Sequence, residues 1–308
     1  MQLWLFTFLP CMVAGGTSLL VGTGSSSDFE IVNLSDPDAI CMQPKDYPHQ
    51  TAWSVAGTLA GKPLICGGFN PPDKVGVTCH VYYQGGDSWY EGGWVNRIWS
   101  AGVNLTPRTF FMGGGSLSQI HNETFFIEDS GVAQGPDLPE ERMAHCFVRI
   151  NDHQIFVVGG NDGSLPVKTV YIYDFSTDEW TAQPPLKQVR SWAFCGSVTD
   201  SESGSVTEIV VAGGTFQTKP LATSEIFDLK TKSWRQGPSL PTPIFSGASV
   251  NHDQSFILVG GSDGVNARDE LLTYDPELKE FVVLAAKLRK PRQDHVAIIV
   301  EDSPGLTC

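Results

Sequence analysis

Apolar runs of four to six residues, rich in Val, Ile, Phe and Leu, recur along this chain, and each is closed by glycines. The clearest are Phe156-Val157-Val158-Gly159-Gly160, Ile209-Val210-Val211-Ala212-Gly213-Gly214 and Phe256-Ile257-Leu258-Val259-Gly260-Gly261. Earlier copies are Leu64-Ile65-Cys66-Gly67-Gly68 and Phe110-Phe111-Met112-Gly113-Gly114, with a decayed one at Leu20-Val21-Gly22-Thr23-Gly24. The first glycines lie 45, 46, 46, 54 and 47 residues apart. Short apolar runs bounded by Gly, Pro, Asp and Ser predict strands, and a period in this range predicts a repeat architecture.

The clear copies continue at fixed offsets. Fourteen residues after the first glycine stands an aromatic followed by Asp: Tyr173-Asp174, Phe227-Asp228, Tyr274-Asp275. Twenty-one residues after it stands Trp180, Trp234 or Phe281, and Trp89 follows Gly67 by 22. Polar turns separate the two, and proline-rich exits follow, as in Gly237-Pro238-Ser239-Leu240-Pro241. The unit therefore reads as four short antiparallel strands, with the glycines ending the second. A glycine-rich β-sandwich would have to produce three identical pairs of offsets by accident.

The succession Arg142-Met143-Ala144-His145, Gly159-Gly160, Tyr173-Asp174, Trp180 and Pro184-Pro185-Leu186 resembles a full Kelch motif. The resemblance runs from about residue 18 onward and implies an all-β, six-bladed β-propeller, one repeat to a blade. The first copy supplies strands at 18–21 and 29–33 but no strand before them. An orphan strand follows Arg292-Gln293-Asp294-His295 at the other end of the chain. Pairing of the C-terminal strand with the N-terminal blade would close the ring and remove two free edges. A single propeller domain is expected over residues 17–308.

Residues 3–13 form a short apolar stretch followed by small residues, resembling a signal peptide over residues 1–16 with cleavage near 14–17, although no Lys or Arg precedes it. The stretch is too short to cross a bilayer, so no membrane insertion is expected. Six cysteines then remain: Cys41, Cys66, Cys79, Cys146, Cys195 and Cys308. An even number in a secreted chain implies disulfides. Cys66 ends one strand and Cys79 opens the next, so they can meet across a hairpin. Cys146 and Cys195 hold nearly equivalent positions in adjacent blades and are either bridged or buried as small apolar residues. A Cys41–Cys308 bond follows only by elimination. Sequons at Asn33, Asn104 and Asn122 are read at turns or strand ends, open to glycosylation. A secreted, disulfide-bonded glycoprotein is the expectation.

Acidic residues outnumber basic ones 34 to 20, a formal charge of -14, which argues against a nucleic-acid partner. No nucleophile elbow, phosphate loop, zinc spacing or other cofactor motif occurs, so neither catalysis, metal nor cofactor is expected. Binding is the remaining role. Arg97, Arg142, Arg190 and Arg292 recur just before the first strand, followed three residues later by Ser100, His145, Ala193 and His295. In Kelch propellers that strand is innermost, which implies a site at one channel mouth. Four converging guanidinium groups would suit an acidic peptide or anionic glycan, with Trp192 and Trp53 at matching offsets as aromatic contacts. The loops after the doublets (69–76, 161–166, 215–221 and 262–268) would add recognition. The reading is a secreted, monomeric, non-catalytic protein- or glycan-binding propeller. The alternatives are an extracellular carbohydrate-active or oxidase-like enzyme on this fold, and a ubiquitin-ligase substrate adaptor. The secretion features and the lack of a preceding dimerisation domain weigh against the adaptor.

Overall fold

The computed structural model describes residues 17–24, 26–69, 78–83, 88–115, 119–300, 306 and 308. The expected signal peptide at 1–16 and most of the loop at 69–76 lie outside the described residues. Six sheets radiate around one axis as propeller blades. Blades 2 to 6 each contain four antiparallel strands. Their innermost strands are Val55–Leu59, Ala101–Thr106, Cys146–Arg149, Phe194–Thr199 and Ala248–His252. Blade 1 is built from both chain ends: Ser18–Thr23 lies between Phe29–Asn33 and His295–Val300, with Ser18 opposite Val300 and Thr23 opposite His295. The ring closes as the orphan strands imply. Blade 1 has no fourth strand among the described residues. Residues 34–50 run irregularly there, where Tyr47 N–H donates to the Ser27 carbonyl.

The second strand of each blade is apolar on both sides because each blade is sandwiched between two others. Ile155, Phe156 and Val157, for example, are all fully buried. Six apolar clusters result, one at each blade interface. The fixed offsets are cross-strand pairs: Tyr173 lies opposite Trp180, Phe227 opposite Trp234, Tyr274 opposite Phe281 and Tyr82 opposite Trp89. Their rings are 4.8 to 5.5 Å apart, a separation at which tilted aromatic pairs attract. The following Asp caps the turn, as where Asp228 Oδ1 accepts from the N–H groups of Lys230 and Thr231.

The glycine doublet latches one blade to the next. Gly159 and Gly160 have φ of 63° and 98°, and Gly160 N–H donates to the Arg190 carbonyl of the following blade at 3.0 Å. A Cβ on Gly159 would stand 2.8 Å from that carbonyl oxygen. Left-handed backbone and close approach together require glycine here. In blade 3 the left-handed pair is Gly114–Gly115, with Gly113 ending the strand, so the doublet sits one residue later than its apolar run suggests. In blade 1 the pair is Thr23–Gly24.

Candidate functional site

The residue two places after each Arg position adopts left-handed backbone in every blade: Trp53, Trp99, Ala144, Trp192, Ser246 and Asp294, with φ between 51° and 60°. Their peptide groups form a closed circuit. Each N–H donates to the carbonyl of the equivalent residue in the preceding blade: Trp99 to Trp53, Ala144 to Trp99, Trp192 to Ala144, Ser246 to Trp192, Asp294 to Ser246 and Trp53 to Asp294, at 2.7 to 3.2 Å. Left-handed conformation is uncommon for tryptophan, and this circuit of hydrogen bonds holds it in place. The ring lies where first strands begin and second strands end, so the doublet loops emerge on the same face. Bridges Met143–Asn161, Ser191–Thr215 and Phe245–Ser262 tie the two together.

Three tryptophans therefore converge on the axis. Trp53 and Trp99 are 5.2 Å apart, Trp99 and Trp192 meet at 6.5 Å across Ala144, and Phe69 packs on Trp53 at 5.8 Å. All four rings are only partly buried. The opposite side of the ring is polar: Ser246 Oγ donates to Asp294 Oδ1, and Gln293 Nε2 donates to Asp294 Oδ2 at 3.1 Å. Trp192 and Trp53 stand where their offsets imply. Trp99 completes the cluster; its place two residues after Arg97 is the sequence signal that marks it, beyond the two tryptophans expected.

The arginines do something different. Arg142 and Arg190 are fully buried, and the side chain of Arg292 is 5% exposed. Arg190 Nη1 donates to the carbonyls of Gly213 at 2.7 Å and Thr223 at 2.9 Å, and Nη2 to Glu225 Oε1 at 3.2 Å. Arg142 reaches the Gly159 carbonyl and pairs with Glu140; Arg292 reaches the Thr23 carbonyl and pairs with Asp28 and Glu30. Arg97, 12% exposed, pairs with Glu123. Each guanidinium faces outward within its own blade, holding the loop after the doublet to the third strand. The expected pocket of two or more accessible guanidinium groups is therefore not formed, because backbone carbonyls and carboxylates of the same blade occupy their donors.

His145 and His295 are also buried, wedged between blades rather than presented at the rim. The His145 ring stacks edgewise on Phe147 at 5.0 Å, and neither ring nitrogen has a hydrogen-bond partner among the described residues. Burial, and then the nearby Arg142, hold its pKa well below the ordinary histidine value. Burial, then Arg292, lower His295 to about 3. Ser100 Oγ donates to the Gly114 carbonyl. Below the ring, the channel of about 1400 Å³ is lined by innermost strands from all six blades.

Asn104 is not at a turn. It lies within the innermost strand Ala101–Thr106, and its side chain bonds both the N–H and the carbonyl of Thr58 on the preceding blade. A glycan there would have to break that inter-blade link. Asn33 is half-buried at the end of its strand, its Oδ1 accepting from the N–H groups of Ser35 and Asp36, and Asn122 Nδ2 donates to the Leu138 carbonyl. Cys66–Cys79, Cys146–Cys195 and Cys41–Cys308 are each joined by a disulfide. The second staples the innermost strands of blades 4 and 5, and the third ties residues 34–50 to the C-terminus. Among the described residues, no group of three or more His, Cys, Asp or Glu side chains could hold a metal ion.

The family model for the KLHDC2/KLHL20/DRC7 Kelch-repeats domain matches residues 110–306. The chain belongs to the Kelch-repeat family. Among its relatives is the Kelch repeat-containing protein kel-10 of Caenorhabditis elegans, 26% identical over 164 residues, which are 53% of this chain and 28% of that protein. The human Kelch repeat and BTB domain-containing protein 12 is 25% identical over 203 residues, 59% of this chain and 32% of that one. The chain thus spans about a third or less of these relatives' length. The solved structure of YjhT aligns with a TM-score of 0.74 and 12% identity, covering 90% of this Kelch chain and 99% of that one; at that identity the likeness concerns the fold.

Proposed function

We propose that this Kelch propeller is an extracellular, monomeric, non-catalytic protein-binding module, and that its partner docks on the doublet-loop face. The observation that carries this reading is the cluster of Trp53, Trp99, Trp192 and Phe69 at the centre of that face. Partly exposed aromatic rings on a rigid frame offer large contact area at low entropic cost, and such residues dominate binding energy at interfaces. The polar side around Asp294 and Ser246 gives direction to a segment laid across the axis. Kelch-repeat relatives support a binding role over catalysis, and three disulfides support an oxidising compartment, since cytosolic thiols are kept reduced.

The test begins with capture of a partner from extracellular fluid by the immobilised protein, followed by affinity measurement on the purified pair. W53A/W99A/W192A should weaken the complex by at least about 2 kcal/mol, the scale of an interface hot spot. A substitution at exposed Asp152, on the opposite face, should leave affinity unchanged. Undiminished affinity of a folded triple variant would refute the docking face.

A further inference from the structure

On the same face, between blades 4 and 5, lies a cleft of about 680 Å³ whose walls include Pro166, Lys168, Lys187, Val189 and Phe216. Most of its surface is apolar, and two exposed lysines flank it. Among the described residues neither lysine forms an ion pair. The acids that could have neutralised them are already engaged. Glu140 accepts from Arg142, from Thr169 Oγ1 and from Tyr171 O–H. Glu225 accepts from Arg190 and from the backbone N–H groups of Lys187 and Gln188. The buried arginines thus satisfy the local carboxylates and leave two uncompensated ammonium groups beside an apolar floor. On a protein of net charge -14 this is a local reversal of sign.

Phe216 stands on a short hairpin, Thr215–Phe216 paired with Lys219–Pro220. Both turn residues, Gln217 and Thr218, have left-handed backbone, with φ of 49° and 65°. A β-branched residue in that region is strained, and such strain persists where the surroundings demand one shape. The hairpin is joined to the axial ring: Thr215 N–H donates to the Ser191 carbonyl at 2.8 Å, and Trp192 follows. The cleft and the tryptophan cluster are therefore neighbours on one surface.

We propose that this cleft binds an acidic segment of the protein partner, in which an apolar side chain sits between carboxylates. The apolar group would lie against Phe216, Val189 and Pro166, with the carboxylates on Lys168 and Lys187. The inference rests on the docking face proposed above and adds the chemistry of the segment it takes. A free inorganic anion would make no use of the apolar floor. Nucleic acid needs a broad basic surface, which two lysines on a chain of net charge -14 do not supply.

The probe is the peptide acetyl-Gly-Glu-Leu-Asp-Gly-amide against its Gln/Asn counterpart, titrated into the full chain carrying ¹³C-methylated lysines. The acidic peptide should shift the Lys168 and Lys187 resonances saturably and bind about tenfold more tightly than the counterpart. Binding should weaken as salt rises. K168E/K187E and F216A should each lose it while keeping the wild-type melting temperature. Equal binding of the two peptides, or full binding by folded K168E/K187E, would overturn the inference. The two readings separate cleanly. If W53A/W99A/W192A loses the captured partner while K168E/K187E retains it, the docking face stands and the acidic cleft falls. Should the tryptophan variant keep the partner while K168E/K187E loses the peptide, the reverse holds.

Discussion

Replacement of Arg190 by Ala distinguishes a scaffold arginine from a ligand contact. The guanidinium is fully buried and donates to two carbonyls and to Glu225, itself buried at 5% exposure. Removing one partner of a buried pair costs about 3–5 kcal/mol. Glu225 would keep the N–H groups of Lys187 and Gln188, so its charge would not be stranded. The Gly213 carbonyl would lose its donor, the Thr223 carbonyl would keep only the Gly213 N–H, and a void would remain. The lower end, about 3 kcal/mol, is therefore expected. At roughly 2–4 °C per kcal/mol for a domain of this size, the melting temperature should fall on the order of 10 °C. Arg97→Ala is the internal comparison. Its partner Glu123 is 39% exposed, so the pair is worth about 1 kcal/mol or less. Thermal and urea unfolding of both variants, with disulfides intact, make the measurement. The reasoning fails if Arg190→Ala melts with the wild type, or if the two substitutions cost the same.

Three further outcomes follow from the same geometry. Stability should decline as pH falls below 6.5, because His295 stays neutral in the folded state down to about 3 while the unfolded chain takes up its proton; that residue alone accounts for roughly 2 kcal/mol between pH 6.5 and 5, and H295F should make the urea-midpoint profile shallower over that window without levelling it, since buried His145 keeps its own share. Gly159→Ala should destabilise by roughly 1–2 kcal/mol more than Gly61→Ala, since both have positive φ but a Cβ on Gly61 meets nothing within 4 Å; equal melting temperatures would remove the inter-blade latch. Because Cys41 and Cys308 are 267 residues apart and Cys66 and Cys79 only 13, C41S/C308S should cost about 6 kcal/mol and C66S/C79S about 3 kcal/mol under the chain-entropy model, a ranking readable from denaturant midpoints.

Much of the propeller was legible because its repeat is local. The pairing of Tyr173 with Trp180, the capped turn at Asp228 and the glycine-terminated strand each depend on neighbours a few residues away, and six copies reinforce one another. Ring closure was also legible, since one end lacked a strand that the other carried in surplus. The doublet register in blade 3 was not, because three consecutive glycines, Gly113 to Gly115, leave the left-handed pair undecided until the Arg142 carbonyl of the next blade selects it.

The candidate site divides the same way. Sequence alone established that arginine, tryptophan and histidine recur at matched offsets. A recurring offset fixes which strand end a residue occupies, but not the direction in which its side chain leaves. That direction is set by the left-handed backbone of the axial ring, a conformation stabilised only by hydrogen bonds between blades some 45 residues apart in the chain. It turns Trp53, Trp99 and Trp192 over the axis and sends the arginines outward into their own blades. Which of two equally regular series faced solvent was therefore decided by contacts between repeats, where no single repeat carries the information.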